Sequence, residues 1–244
     1  MSSTAQSVAW NRLASMGHWS DTLVVFDTET TGLDTRHSRI VTAYVGVIGS
    51  QGETVEAHSW LADPGVVIPD QATAVHGITT EVAQRDGRPA GEVVNEIRSA
   101  LEGYLARGLP IVAYNASYDF SILHHESVRH GCEPLIDPRP IIDPLVIDRK
   151  VDTYRKGKRT LQMAATHYLV RLEDSHTADA DAIAAGRVAQ AILRAHDAQL
   201  EGDAQWLHDQ QVIWSREWAE NYQSFRRNQG DAGFVATGAW PVNA

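Results

Sequence analysis

The sequence is poor in three things that would each point to a particular class of protein. It has one cysteine, Cys132, among 244 residues. A disulfide framework within the chain is therefore excluded, and a cysteine-built zinc site is not expected. It has no apolar run near the roughly 20 residues that a membrane helix needs, and Met1 to Ser20 lacks the apolar centre of a secretion signal. A cytoplasmic protein that makes no membrane contact is the expectation. It also lacks surplus positive charge: 21 Lys and Arg stand against 31 Asp and Glu, a formal charge of −10. Such a chain does not coat a polyanion by bulk attraction. Clustered carboxylates can still be metal ligands rather than surface charge.

What is present is a core. Hydrophobic residues make up 43% of the chain, enough for one packed domain with extensions. Residues 1–20 read as an N-terminal extension, with Trp10, Leu13 and Met16 at helical spacing. The main domain is expected over 21–197. Thr22–Asp27 (TLVVFD) is a buried-strand run. Strands are also expected over Arg39–Ile48 and Thr54–Leu61, turned by Gly49–Gly52, and over Ile111–Tyr114 and Pro140–Asp143. Apolar stripes predict helices over Gly91–Ala106, Tyr118–His130, Leu161–Leu169 and Thr177–His196. Strands first, then strands alternating with helices, indicate an α/β domain with a mixed sheet. In residues 198–244, Trp214, Trp218, Tyr222 and Phe225 fall on one helical face. That helix either packs back on the domain or docks a partner. Residues 228–244, rich in Gly and Ala, read as loosely ordered.

Three acidic elements stand out. Asp27 and Glu29, two apart at the end of the first strand, point to one face of the sheet. Alone, such a pair also fits a strand running out into solvent. Thr28, Thr30, Thr31 and Gly32 around it suggest a turn that a ligand can approach. Asp119 follows the second buried strand, beyond a carboxyl end where ligands of open α/β sheets tend to bind; it also fits an ordinary helix cap. His176 and Asp181 flank the start of the alanine-rich helix, where acids also complement the dipole, the role expected of Asp179.

Together these elements resemble the DEDDh exonucleases of the DnaQ-like superfamily, the group of the proofreading epsilon subunits of bacterial DNA polymerase III. FDTETTGL (26–33) is similar to the family's first motif, YNASYDFSIL (114–123) to the second, and HTADADA (176–182), with its His-x₄-Asp spacing, to the third. AVHGIT (74–79) resembles a recurrent segment between the first two, and the likeness spans about residues 22–196. It implies a ribonuclease H-like mixed sheet flanked by helices. It also implies 3′→5′ trimming of a nucleic acid, DNA in the favoured reading, with two Mg²⁺ or Mn²⁺ ions per site, in replication or repair. By motif, Asp27 would bridge the ions, Glu29 and Asp181 would complete the first site, and Asp119 would hold the second. His176 would be the general base. The partner implied is a single-stranded or frayed strand with a free 3′ end, and a polymerase is a candidate partner of the C-terminal helix.

Substrate contacts are expected at Thr30, Leu33 (a wedge on the terminal base), Tyr118 (stacked on it), His76 and Asn115. Asp143 is read as a strand-end cap. Residues 149–159 hold six basic residues in an acidic protein, and Arg155, Lys156, Lys158 and Arg159 are expected phosphate contacts. Three other readings stand beside this one. They are the same chemistry on RNA, in the manner of ribonuclease T or oligoribonuclease, a non-catalytic polymerase accessory, and a hydrolase of another phosphoester.

Overall fold

The computed structural model describes residues 18–172 and 177–244. The helix expected from Trp10, Leu13 and Met16 lies outside them, as does His176. Three antiparallel strands, β1 (Leu23–Thr30), β2 (Ile40–Ile48) and β3 (Thr54–Asp63), form half of the sheet. Three two-residue strands, β4 (Arg88–Pro89), β5 (Ile111–Val112) and β6 (Ile141–Ile142), pair in parallel and complete the order β4-β3-β2-β1-β5-β6. The helices are α1 (Asp70–His76), α2 (Thr80–Asp86), α3 (Ala90–Ala106), α4 (Ala116–Arg129), α5 (Pro144–Val151), α6 (Leu161–His167), α7 (Ala178–Ala195) and α8 (Ala204–Asn228). This is the mixed, helix-flanked α/β sheet expected from the sequence. Among the described residues no helix is long and apolar enough to cross a membrane.

The sheet divides the core in two. Along β1, Val24 and Phe26 face α3 and α4 with Val93, Ile97, Leu101, Phe120 and Leu123. Leu23 and Val25 face α7 with Ala182, Ala185, Val188 and Ile192. Each large side chain buried this way stabilises the fold by about 1.5–3 kcal/mol. The alternation is the strand's period of two. α7 lies close on the sheet because Gly186 leaves room; a Cβ there would meet Val25 Cγ1 and Ile48 Cδ1 inside van der Waals contact.

The far edge of the sheet is closed by side chains rather than by another strand. Gln211 of α8 is fully buried. Its Oε1 accepts from the Asp143 N–H at 2.6 Å, and its Nε2 donates to the Ile141 carbonyl at 3.0 Å. His208 Nδ1 accepts from the Ile141 N–H at 3.0 Å. One amide thus supplies the donor and acceptor that a neighbouring peptide would give, which satisfies the edge of β6. The aromatic helix is packed on the domain through this face.

The segment expected to be loose is not. Trp240 is buried, its ring 5.0 Å from that of His208, and its Nε1 donates to Asp143 Oδ2 at 3.3 Å. Asn243 N–H donates to Ser121 Oγ at 2.8 Å. One large aromatic side chain and a few backbone bonds outweigh the flexibility that Gly and Ala suggest.

Replacing Gln211 by Met keeps the volume but leaves the Asp143 N–H and the Ile141 carbonyl without their partner. Unfolding in urea is expected to show a loss of about 2–4 kcal/mol; an unchanged midpoint would show that the edge does not need the amide.

Candidate active site

The site lies where β5 ends early. β5 pairs with β1 only at Val24↔Ile111 and Val25↔Val112. From Phe26 onward that side of β1 has no strand beside it. The chain turns through Asn115, held left-handed at φ 63°, and starts α4 in the gap. Asp119 in its first turn then does what a strand would have done. Its Oδ1 accepts from the Thr28 N–H at 3.1 Å and from Thr28 Oγ1 at 2.7 Å.

Asp27 and Glu29 continue the other face of β1, the one that carries Leu23 and Val25. They therefore meet α7, whose first turn holds Asp181. Carboxylate oxygens of Asp27, Glu29 and Asp181 all lie within 4.8 Å of one another. The site is thus drawn from both layers: three acids from the α7 face, and Asp119 from the α4 face across the strand end.

Burial and mutual repulsion set the electrostatics. Burial first, then Asp119, Glu29 and Asp181, hold the Asp27 carboxyl well above the usual range. Burial and then Asp181 raise Glu29 to about 7. Asp119 is raised too, burial outweighing its two bonds from Thr28. A hard dication relieves such a set, and three converging carboxylate oxygens are its natural donors. The residues fit the divalent ions with which exonucleases of this fold generally work.

The other expected residues are placed as follows. Leu33 is 91% exposed, in the loop after β1. Tyr118 OH, Thr30 Oγ1 and the Gly32 carbonyl lie within hydrogen-bonding reach of one another, and the two hydroxyl hydrogens serve two of the three contacts. That triangle fixes the loop that presents Leu33. His76 is buried at the end of α1. Its Nδ1 accepts from the Ile78 N–H at 3.2 Å, and burial lowers its pKa against the opposing Thr30 backbone. Asn115 is exposed at the turn into α4.

Asp143 is a cap, and more. Its oxygens accept from Leu145 N–H (2.9 Å), Asn115 N–H (3.0 Å), Ala116 N–H (2.9 Å) and Trp240 Nε1. It therefore anchors the start of α4, three residues before Asp119. The sequence reading missed a second buried acid, Asp148. Arg155 and Arg159 both pair with it, Arg159 at 2.8 Å, and Tyr168 OH donates to it at 2.8 Å. Those two arginines, expected at phosphates, hold the loop after α5. Lys156 and Lys158 of the same stretch are exposed.

The raised carboxyls make a testable link between pH and stability. A Glu29 carboxyl with a folded pKa of about 7, against 4.5 otherwise, stabilises the metal-free fold below its unfolded pKa. That contribution is lost as pH rises through about 7. Mn²⁺ is thus expected to raise Tm more at about pH 7.5 than at about pH 5. Asp27→Asn is expected to raise the metal-free Tm and blunt the Mn²⁺ response. Equal Mn²⁺ shifts at both pH values would contradict this electrostatic account.

With the geometry in view, the comparisons converge. Residues 24–189 match the family model described as RNase_T, Exonuclease. The chain is 29% identical over 171 residues to the DNA polymerase III PolC-type of Lactococcus lactis subsp. lactis (strain IL1403), covering 70% of this chain and 10% of that polymerase. It is 32% identical over 168 residues to the corresponding polymerase of Streptococcus agalactiae serotype III (strain NEM316), covering 68% of this chain and 11% of that one. The chain thus spans about a tenth of the length of these relatives. Among solved structures, E. coli Exonuclease I in complex with a dA16 oligonucleotide superposes with a TM-score of 0.64 at 17% identity, covering 80% of this chain and 44% of that one. At that identity the likeness carries the fold. The matched residues include Asp27, Glu29, Asp119 and Asp181, and the chain belongs to the exonuclease family, among the DnaQ-like 3′→5′ exonucleases.

Proposed function

We propose that the chain trims single-stranded DNA from its 3′ end and releases nucleoside 5′-monophosphates. The convergence of Asp27, Glu29 and Asp181 within 4.8 Å carries this reading, with Asp119 seated beside them on Thr28. Asp27, Glu29, Asp119 and Asp181 would hold two divalent ions, Mg²⁺ or Mn²⁺. Bound there, the ions would lower the pKa of the attacking water and neutralise charge at the leaving oxygen. Hydrolysis adds water across the last phosphodiester: the water oxygen bonds to phosphorus, the 3′ oxygen leaves and takes up a proton, and a 5′-phosphate is released.

His176 is the proposed base. It precedes Asp181 by five residues, and a neutral imidazole titrating near pH 6.5 can accept the water's proton. Leu33, exposed on a loop braced by Thr30 and Tyr118, is the proposed wedge under the terminal base. His76 and Asn115 are proposed to line the same end of the substrate, and Lys156 and Lys158 to meet phosphates further along. The oligonucleotide-bound Exonuclease I with the same fold favours a single-stranded substrate.

The experiment is trimming of 5′-labelled and 3′-labelled oligonucleotides, single-stranded and duplex, of DNA and RNA, with Mg²⁺, Mn²⁺ or chelator. A ladder from 5′-labelled DNA and a labelled mononucleotide from 3′-labelled DNA are expected, both lost in chelator. Faster trimming of RNA would reassign the substrate. Asp27→Ala is expected to lower the rate by more than about 10³-fold; trimming that persists in that variant would end the proposal. His176→Ala is expected to lower kcat by about 10²–10⁴-fold with metal binding retained, and an unaltered kcat would remove it as the base.

A further inference from the structure

A cleft of about 300 Å³, at the small end of ligand pockets, which span about 300–1,000 Å³, opens at the start of α4, the helix that carries Asp119. Asn115, Ser117 and Tyr118 line it, together with Arg149 of α5, Trp218 of α8 and residues of the 237–243 segment. Arg149, Val146, Ser215 and Trp218 also line a second hollow that continues toward Lys150, Trp214 and Asn221. Their shared lining of Val146, Arg149, Ser215 and Trp218 joins the two hollows into one groove.

Arg149 is unlike the other arginines of its stretch. Arg155 and Arg159 are used up by Asp148. Arg149 is half-buried, yet among the described residues its guanidinium has no hydrogen bond or ion pair. Burial lowers its pKa, against the attraction of Asp143 and, more weakly, Asp148. Asp143, which also lines the cleft, already accepts four N–H bonds. Its guanidinium carbon lies over the Trp218 ring, 3.9 Å from the ring centroid. Trp218 is in turn stacked with Tyr222 at 5.0 Å. A partly desolvated guanidinium is costly without an anion. It stays charged and presents a rigid fork of donors suited to two phosphate oxygens.

We propose that Arg149, held in place by Trp218, binds a backbone phosphate of single-stranded DNA upstream of the bond being cut. The inference rests on the exonuclease reading, because it takes the occupant of the groove to be the strand whose 3′ end lies at the acids. Arg149 lies within the matched residues 24–189 and Trp218 outside them, so the pair joins the C-terminal helix of this chain to the matched domain. Arg149 is the binding group, and Trp218 is a positioning residue.

The test compares wild type, Arg149→Gln, Arg149→Lys and Trp218→Leu on single-stranded DNA from dinucleotide to decanucleotide. Binding is read by anisotropy in Ca²⁺ and trimming in Mg²⁺, across a salt series. Arg149→Gln is expected to weaken decanucleotide binding by about tenfold and to lower the slope of log K against log salt by about 0.7. Its effect on the dinucleotide is expected to be smaller, and Arg149→Lys is expected to restore the salt slope but not the full affinity. Trp218→Leu is expected to raise KM for the long strand more than it lowers kcat. An unchanged salt slope in Arg149→Gln, or losses equal at all lengths, would overturn the phosphate contact while leaving the exonuclease intact. A wild-type protein that trims no strand would overturn the exonuclease reading itself.

Discussion

Repulsion between carboxylates is the constraint around which this molecule is built. Asp27, Glu29 and Asp181 are forced within 4.8 Å of one another, and Asp119 adds a fourth charge across the strand end. The carboxylate charges oppose this assembly, so the hydrophobic layers, with the bonds from Thr28 to Asp119, must impose it. β1 brings two of the acids because it is buried at Leu23–Phe26 and alternates beyond. α7 brings the third because Gly186 lets it lie close on Val25 and Ile48. β5 ends after Val112, and the gap it leaves is where Asp119 enters. Stability is spent here on chemistry, as expected of a functional site.

The C-terminal helix and tail extend that scaffold. Gln211 and His208 finish the sheet edge at Ile141 and Asp143. Trp240 then closes on Asp143, which fixes the backbone of Asn115 and Ala116 at the start of α4. The position of Asp119 is thus supported from a helix and a tail beyond the residues matched by the family model. Buried polar groups of this kind hold a geometry because each has its partner.

The sequence disclosed most where a pattern repeats along one element. The apolar run of β1 and the apolar stripes of α3 and α7 set their extents to within a residue or three. The pairing of Asp27 with Glu29 followed from strand period alone, and the meeting of those acids with Asp181 followed from the resemblance. Two helices were hidden. α1 and α2 each bury a single side chain, His76 and Ala83, too little for an apolar stripe to declare itself. α5 did carry a signal, Asp143 as its cap with Pro144 in the first turn; the strand reading of Pro140–Asp143 masked it. What a side chain bonds to across the fold left no trace in the one-dimensional pattern. Arg155 and Arg159 read as surface cations because their partner, Asp148, is an unremarkable acid within an amphipathic turn. Trp240 likewise sat in a stretch whose composition suggests looseness.

The division of the acids between the two sides of β1 has a consequence for the living cell. On the proposed reading, neither half of the protein carries all four ligands. A chain with only the α7 layer docked holds three carboxylates without the fourth, and a chain with only the α4 layer holds Asp119 apart from Asp181. On that reading the cutting site exists only once both layers have closed on β1, so the activity is tied to completion of the fold.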